Sequence, residues 1–328
     1  MLTRRTSLTL LVSTVTGLIA SATLPVRGEK FPSRIMHIVV PGAPGTPPDI
    51  ISRMVANELA QTERWQVIVE NKAGAMQMLG AADVLKQPAD GHMLLAASLP
   101  AALAPSLLES VAVRLDADFT PLIKLATAYH VLVVNPSVPA KTLPELVALL
   151  KKEPDKLTFS SGGFGTPAHV TGELFKLQTG IRARHIPYQA LPQAIGDLLN
   201  GTNQFQFITP LPVLELIAAG QLRAIALAAP TRSAVLPDVP TVGEAGYPDL
   251  ISQDWVGLLV RRGTPDGRIE RLNEVINRVL AKPELRSAIA KLGAEVAGGS
   301  PSEFATFLTG QMTYWANVVK DSGMKMHQ

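Results

Sequence analysis

The amino-acid sequence predicts an α/β protein of two domains with largely parallel sheets. The chain has 328 residues and is 47% hydrophobic, which is enough apolar material for more than one core, since single cores stop growing near about 250 to 300 residues. From residue 35 onward, short β-branched runs alternate with segments of helical periodicity. This alternation is typical of helices layered on sheets.

The first 22 residues predict a secretory signal peptide. Arg4 and Arg5 precede an apolar run from Leu8 to Ala20, and Ala20-Ser21-Ala22 fits the small-residue cleavage pattern. A membrane anchor needs about 20 apolar residues, and this run is shorter and interrupted by polar residues. We expect a periplasmic protein that does not span the membrane after cleavage. The paired arginines leave both the general and the twin-arginine export routes open.

Nine strands are expected along the remaining chain, each a short apolar run of high β-propensity. They cover 35–40, 66–69, 93–97, 130–134, 157–160, 184–186, 204–208, 223–228 and 256–260.

Helices are predicted between these strands from apolar residues at helical spacing. One covers about 47–60, another about 192–200, and a third carries a continuous apolar stripe from Ile269 to Leu280. The last helix opens with Ser300-Pro301-Ser302-Glu303, which is a capping-box sequence with proline at the first helical position.

The chain is expected to pass between two domains at two places. One follows the strand ending at Val134-Asn135-Pro136, and the other follows the proline-rich stretch 230–248. We therefore predict one domain from residues 29–127 plus 254–328 and a second from 128–253. Such an arrangement suits hinged closure over a ligand.

Composition excludes several functional classes. The formal charge of +3 is too small for a polyanion-binding surface, so we expect no nucleic-acid partner. The absence of cysteine excludes disulfides and thiolate chemistry. The histidines show no metal-ligand spacing, and we expect no cofactor, no metal and no enzymatic activity.

Two glycine-containing turns, at 40–49 and 160–169, each join a predicted strand to a helix. Backbone N–H groups at such a turn, beside a helix N-terminus, form a ready anion site. In open α/β sheets, ligands lie beyond the carboxyl ends of the strands, where both turns belong. The alternative is that each turn is an ordinary structural connector.

A series of segments from residue 31 onward resembles the receptors of tripartite tricarboxylate transporters, the Bug family of bacterial periplasms. The segments are FPS at 31–33, IVVP at 38–41, VENKAGA at 69–75, PADG at 88–91, SSG at 160–162 with His169, GELF at 172–175, HIPY at 185–188, AGQLRA at 219–224, LPDVPT at 236–241 and GEAG at 243–246.

The resemblance implies a type II periplasmic binding protein fold that holds a small carboxylate in the cleft between two domains and delivers it to inner-membrane transporter subunits. It also implies that backbone N–H groups and bridging water make most of the contacts. The residues predicted to bind the ligand are Ala43, Pro44, Gly45, Thr46, Asp49, Ser98, Ser160, Ser161, Gly162, Gly163, Thr166, His169, Tyr188 and Thr209.

Departures from the family pattern concentrate at the first turn and one strand end. Pro47 and Pro48 remove two N–H donors, and the segment 74–80, GAMQMLG, replaces a family glycine-glycine-asparagine with bulkier side chains. Ile208-Thr209 stands where the family often has Asp-Asn, an acid that can receive a ligand ammonium. This difference argues against an amino acid with a free amine. A pocket that has lost carboxylate binding, or moved to a more apolar ligand, is also compatible with these departures.

Several assignments leave alternatives open. Asp49 fits a helix-start charge, His169 fits a local hydrogen bond, and Tyr188 fits a packed aromatic. A hydrolase using Ser160 or Ser161 with His169 as base is a second functional hypothesis, although no acid is evident to orient the histidine. A ligand-sensing partner of a membrane sensor kinase is a third, because it needs the same binding site.

Overall fold

A computed structural model describes residues 31–324, so the predicted signal peptide at 1–22 and the outermost residues of the predicted first domain lie outside the described residues. The strands in this part of the chain are β1 Met36–Val40, β2 Val67–Asn71, β3 Met93–Ser98, β4 Phe119–Tyr129, β5 Val131–Val134, β6 Thr158–Ser161, β7 Arg184–Pro187, β8 Phe205–Ile208, β9 Arg223–Leu227, β10 Gln253–Arg261 and β11 Glu295–Gly298.

The α-helices are α1 Pro47–Thr62, α2 Met78–Leu85, α3 Leu99–Leu107, α4 Leu115–Asp118, α5 Leu143–Lys152, α6 Pro167–Thr179, α7 Leu191–Leu199, α8 Leu214–Ala218, α9 Asp266–Leu280, α10 Pro283–Lys291 and α11 Pro301–Ser322. None of these helices is long and apolar enough to cross a bilayer.

The strands form two sheets. A six-stranded sheet has the order β11-β4-β10-β3-β1-β2, and a five-stranded sheet has the order β7-β6-β8-β5-β9. The first sheet is built from both ends of the chain and the second from the middle. We call the first sheet with its helices the first half and the second sheet with its helices the second half.

Both sheets are mixed, whereas the sequence predicts largely parallel ones. β1 is parallel to β2 and β3, and β6 is parallel to β7 and β8. The strands at the two crossings are antiparallel: β10 pairs antiparallel with β3 and β4, and β5 pairs antiparallel with β8 and β9.

The helices bury the faces that the sequence predicts. On α9 the whole apolar stripe from Ile269 to Leu280 is buried against the first sheet. α11 starts with the predicted capping box: the Ser300 Oγ accepts from the Glu303 N–H, and the Glu303 carboxylate accepts from the Ser300 N–H. α11 packs on α3 and β4 of the first half and on α6 of the second half. The last helix therefore contacts both halves.

Candidate functional site

A cavity of about 270 Å³ lies between the two sheets, at the carboxyl ends of β1, β3, β6 and β8 and at the start of β10. This is the location at which open α/β sheets bind ligands. The lining residues are Gly42, Thr46, Pro47, Pro48, Gln77, Ser98, Pro100, His130, Gly162, Thr166, Pro167, Ala168, Leu191, Gln206, Phe207, Ile208, Thr209 and Asp254. Of the fourteen residues that the sequence predicts, five are among them: Thr46, Ser98, Gly162, Thr166 and Thr209.

The two halves touch each other beside the cavity. Gly165, in the turn between β6 and α6, has φ +70 and lies against Met76 and Leu107 of the first half. A Cβ atom at this position would stand 2.7 Å from the Met76 Cε and 3.3 Å from the Leu107 Cδ1. Only glycine fits both the conformation and the space, so this turn closes against the first half.

The second predicted turn presents free backbone donors to the cavity. Thr166 is the N-cap of α6, but its hydroxyl donates to the Gly163 carbonyl (2.7 Å) and does not cap the helix. Pro167 carries no N–H, and the N–H groups of Ala168 and His169 belong to the first turn of α6, which leaves them without a helical partner. The N-terminus of α6 thus offers a positive dipole end and uncapped donors beside the cavity.

Gln206, on β8, adds a side-chain donor to the same wall. Its side chain is fully buried, and its Oε1 accepts from the Ser160 Oγ at 3.3 Å. Its Nε2 is buried without a hydrogen-bond partner. A buried amide donor without a partner is costly, and this one lies directly behind the cavity wall. Sequence reasoning missed Gln206, which stands in the middle of an apolar strand.

The two predicted serines shape the turn and do not reach the cavity. Ser160 and Ser161 are both 0% exposed. The Ser161 Oγ donates to the Gly163 carbonyl (2.9 Å), accepts from the Gly163 N–H (3.1 Å) and lies 2.6 Å from the His185 Nε2. These bonds hold Gly163 at φ +122 in the turn. Ser160, Ser161 and Gly163 therefore stabilise the turn without lining the cavity.

The structure does not bring His169 to either serine, so the hypothesis of a serine nucleophile with His169 as base is wrong in its pairing. The His169 Nδ1 accepts from the Gly165 N–H at 3.1 Å, which is the local structural bond that the sequence left open. Because both serines are also sealed from the cavity, no substrate carbonyl reaches their hydroxyls.

His169 and His185 stack with ring centroids 4.0 Å apart, next to Phe164. Burial lowers the pKa of His169 to about 4. Burial, with the neighbouring His169 as the next cause, lowers the pKa of His185 to about 3. Both rings are therefore neutral at physiological pH and serve as packing and hydrogen-bonding groups beneath the turn.

The first predicted turn contributes less than expected. Ala43, Pro44 and Gly45 are exposed and lie outside the cavity lining. Thr46 lines the cavity, but Pro47 and Pro48 supply no N–H groups at the start of α1. The first half consequently faces the cavity with proline rings where the second half presents backbone donors.

Asp49 is a structural residue beneath the first turn. It accepts from the Gly45 N–H, the Arg53 Nε and the Asn71 Nδ2, each at 2.9 Å, and is 4% exposed. Burial by itself would raise the pKa of Asp49, but the hydrogen bonds from Arg53, Gly45 and Asn71 outweigh it and lower the pKa. Its carboxylate is committed to these partners and does not face the cavity.

The bulky segment 75–77 adopts the conformation that glycine favours. Ala75, Met76 and Gln77 have φ of 46, 50 and 77. This turn brings the buried Gln77 side chain onto Ser98, with the Gln77 Nε2 donating to the Ser98 Oγ (2.5 Å) and the Ser98 N–H donating to the Gln77 Oε1 (3.0 Å). Gln77 and Ser98 thus form one fixed polar pair in the cavity wall.

Tyr188 does not present its hydroxyl to the cavity. The hydroxyl donates to the Asp197 carboxylate (2.6 Å) and accepts from the Asn203 Nδ2 (2.5 Å), which ties the end of β7 to α7. Thr209, just after the end of β8, lines the cavity beside Ile208.

Asp254, at the start of β10, is the acidic residue that sequence reasoning missed. It lines the cavity and accepts from the Trp255 N–H (2.9 Å) and the Leu99 N–H (3.4 Å), both through Oδ1. Burial raises the pKa of Asp254 to about 6. An acid at the start of the apolar run 255–260 is the signal that could have drawn attention to it.

His130 lies where the chain first crosses between the sheets, and Ser252 lies where it crosses back. The His130 Nδ1 is 2.9 Å from the Ser252 Oγ and 3.2 Å from the Thr171 Oγ1, and the two hydroxyls are 2.6 Å apart. Burial lowers the pKa of His130 to about 4, so this ring is neutral. The network joins both crossings to α6, the helix whose N-terminus faces the cavity.

The two mixed sheets and the cavity between them define the periplasmic binding protein fold. The aliphatic sulphonate binding protein SsuA from Escherichia coli, at 12% identity, superposes with a TM-score of 0.53 over 88% of this chain and 87% of that chain, which shows the fold alone.

The family model described as tripartite tricarboxylate transporter family receptor matches residues 51–324, and the chain belongs to this family. BugT from Bordetella pertussis is 33% identical over 98% of this chain and 99% of its own length. MatC from Rhodopseudomonas palustris with bound malate is 30% identical, with a TM-score of 0.77 over 88% of this chain and all of that chain. An R. palustris protein with adipate is 26% identical, with a TM-score of 0.81 over 90% and 100% of the two chains.

Proposed function

We propose that this protein is a periplasmic receptor, not an enzyme, that closes over a small carboxylate and delivers it to the inner-membrane subunits of a tripartite tricarboxylate-type transporter. Family membership supports the transport role. The adipate and malate in the two R. palustris structures support a carboxylate as the ligand class.

The observation that carries this proposal is the donor-rich wall of the cavity. The uncapped N-terminus of α6 and the unpartnered Gln206 Nε2 belong to the same wall. A carboxylate placed there gains hydrogen bonds from the first N–H groups of α6, which have no helical partner, and the helix dipole favours its charge. His130, which lines the same cavity, is neutral and adds no positive charge to the site.

We further propose that residues 29–127 plus 254–328 and residues 128–253 move as two domains. The crossings at His130 and Ser252 are the only covalent connections such domains need, and Thr171 links both crossings to α6. A ligand bound at the N-terminus of α6 then contacts the same helix that bonds, through Thr171, to both crossings. Closure around it follows from contacts that the open state lacks.

Calorimetric titration of the mature protein with mono-, di- and tricarboxylates tests the ligand class. Gln206→Glu preserves the side-chain shape and places a negative charge against the bound carboxylate, so we expect affinity to fall at least tenfold. Gln61→Glu makes the same chemical change at an exposed position of α1 and serves as the matched control. Unchanged affinity in Gln206→Glu, or no carboxylate binding by the native chain, contradicts the proposal.

Two further measurements address closure and delivery. Small-angle scattering is expected to show a smaller radius of gyration at saturating ligand than in its absence. Uptake of labelled ligand by vesicles that contain the transporter subunits is expected to require added receptor, and receptor-independent uptake would contradict the delivery role.

A further inference from the structure

Asp254, on β10 of the first sheet, lines the cavity and carries a carboxylate oxygen that accepts no hydrogen bond from residues 31–324. Its two hydrogen bonds, from the Trp255 and Leu99 N–H groups, both end on Oδ1. Oδ2 accepts no hydrogen bond from residues 31–324, and no lysine, arginine or histidine of this described part forms a salt bridge with the carboxylate. The side chain is half-buried and its open side lines the cavity.

No side chain that lines the cavity would neutralise Asp254, which receives only the two backbone N–H groups of Trp255 and Leu99 within residues 31–324. His130 is the other titratable residue among those lining the cavity, and burial keeps it neutral by lowering its pKa to about 4. Pro47, Pro48 and Pro100 line the same side and carry no N–H. At pH 7.5 the acid is mainly ionised, because its pKa of about 6 lies below that pH.

The cavity is therefore polarised. The second half supplies donors, namely the first N–H groups of α6, while the first half supplies an acceptor at Asp254. The walls between are largely apolar and include Leu191, Phe207 and Ile208. A simple dicarboxylate that spans this cavity would place one of its negative ends against Asp254.

We propose that Asp254 selects ligands that carry an ammonium group opposite their carboxylate, so that the substrates are small amino-carboxylates with an apolar body. A buried carboxylate without a cationic partner is unfavourable, and a ligand ammonium would both pair with it and donate to its free oxygen. This inference rests on the proposed carboxylate-binding function.

The acid comes from β10, which the sequence predicts only from residue 256 and therefore without Asp254. Ile208-Thr209 replaces the Asp-Asn at the end of β8, and that replacement argued against a ligand amine. The structure places Asp254 of β10 in the same cavity as Ile208 and Thr209. The absence of an acid at the end of β8 therefore does not exclude an amine.

The test uses matched ligands of four, five and six carbons at pH 7.5: the unbranched monocarboxylate, its ω-amino and α-amino derivatives, and the dicarboxylate of the same length. Calorimetry on the mature protein is expected to give at least tenfold tighter binding for an amino derivative than for the monocarboxylate and the dicarboxylate of its length. Asp254→Asn is expected to weaken the amino derivative at least tenfold and to leave the monocarboxylate unchanged or tighter.

Asp249→Asn is the control, since it removes the same charge from an exposed side chain five residues away. Tightest binding of a dicarboxylate by the native protein, or an unchanged preference in Asp254→Asn, overturns the assignment of Asp254 while leaving the carboxylate receptor intact. Failure of every carboxylate to bind overturns the proposed function together with this inference.

Discussion

Replacing Asp254 by asparagine is expected to stabilise the protein above pH 6 in the absence of ligand. Burial raises the pKa of Asp254 to about 6 from its ordinary value of 3.8, so the ionised form is disfavoured in the folded state. The asparagine Oδ1 can accept the same two backbone hydrogen bonds, at nearly the same shape. The variant therefore removes the charge and little else.

The magnitude follows from the pKa difference. A tenfold change in proton affinity is worth about 1.4 kcal/mol, so the change from 3.8 to about 6 corresponds to at most about 3 kcal/mol. The folded state binds the proton more tightly, so this contribution to stability is fully present below pH 3.8 and is lost as the pH rises through about 6. Water in the cavity reduces the effect, which makes this value an upper limit.

The assay is urea unfolding of the native protein and Asp254→Asn without ligand between pH 4.5 and 7.5. The unfolding free energy of Asp254→Asn minus that of the native protein is expected to rise above its value at acidic pH by about 1 kcal/mol at pH 4.5 and by up to about 3 kcal/mol at pH 7.5. Asp249→Asn controls for the loss of one surface charge. If the unfolding free energies of the native and Asp254→Asn proteins change with pH in the same way, the argument that the Asp254 charge is poorly solvated is refuted.

Three further predictions concern stability alone. Gly257→Ala places a Cβ 2.1 Å from the Phe304 ring, and we expect calorimetry to show a loss of about 1 to 3 kcal/mol, whereas Gly310→Ala has open space in α11 and is expected to gain up to about 1 kcal/mol. Ser300→Ala removes the cap of α11 and is expected to lower the unfolding free energy by about 1 kcal/mol in urea titrations. Burial keeps the pKa of His185 at about 3, so the stabilisation of the fold by its neutral ring is fully present above pH 6.5 and is lost as the pH falls. In thermal melts, the stability difference between the native protein and His185→Gln is therefore expected to shrink from pH 7 to pH 4.5.

Each of these has a contrary outcome. Equal melting temperatures for the two glycine variants would show that the Phe304 ring moves aside freely. An unchanged unfolding free energy for Ser300→Ala would show that water replaces the cap without loss. A constant His185→Gln difference over pH would show that His185 is protonated in the folded state at a higher pH than its burial indicates.

Local patterns predicted much of the secondary structure, because periodicity and capping act over a few residues. The stripe on α9 and the capping box of α11 were read correctly from spacing alone. The longest strand, β4, was missed: its Pro121 argues against a strand, yet it pairs with Leu259 next to an irregularity in the register, where proline is tolerated. β11 was also missed, since its Glu295-Val296-Ala297-Gly298 has little β-branched character.

The sequence by itself determined the α/β class, the family and the two turns that approach the cavity, because those signals lie in contiguous residues. Only the tertiary structure decided what the cavity wall consists of. In the structure, the side chains of Ser161, His169 and Tyr188 bond to local partners. Asp254 lies next to the start of α3, 155 residues earlier in the chain. Strand order and register produce that neighbourhood through β10 pairing with β3, and no window of sequence contains it.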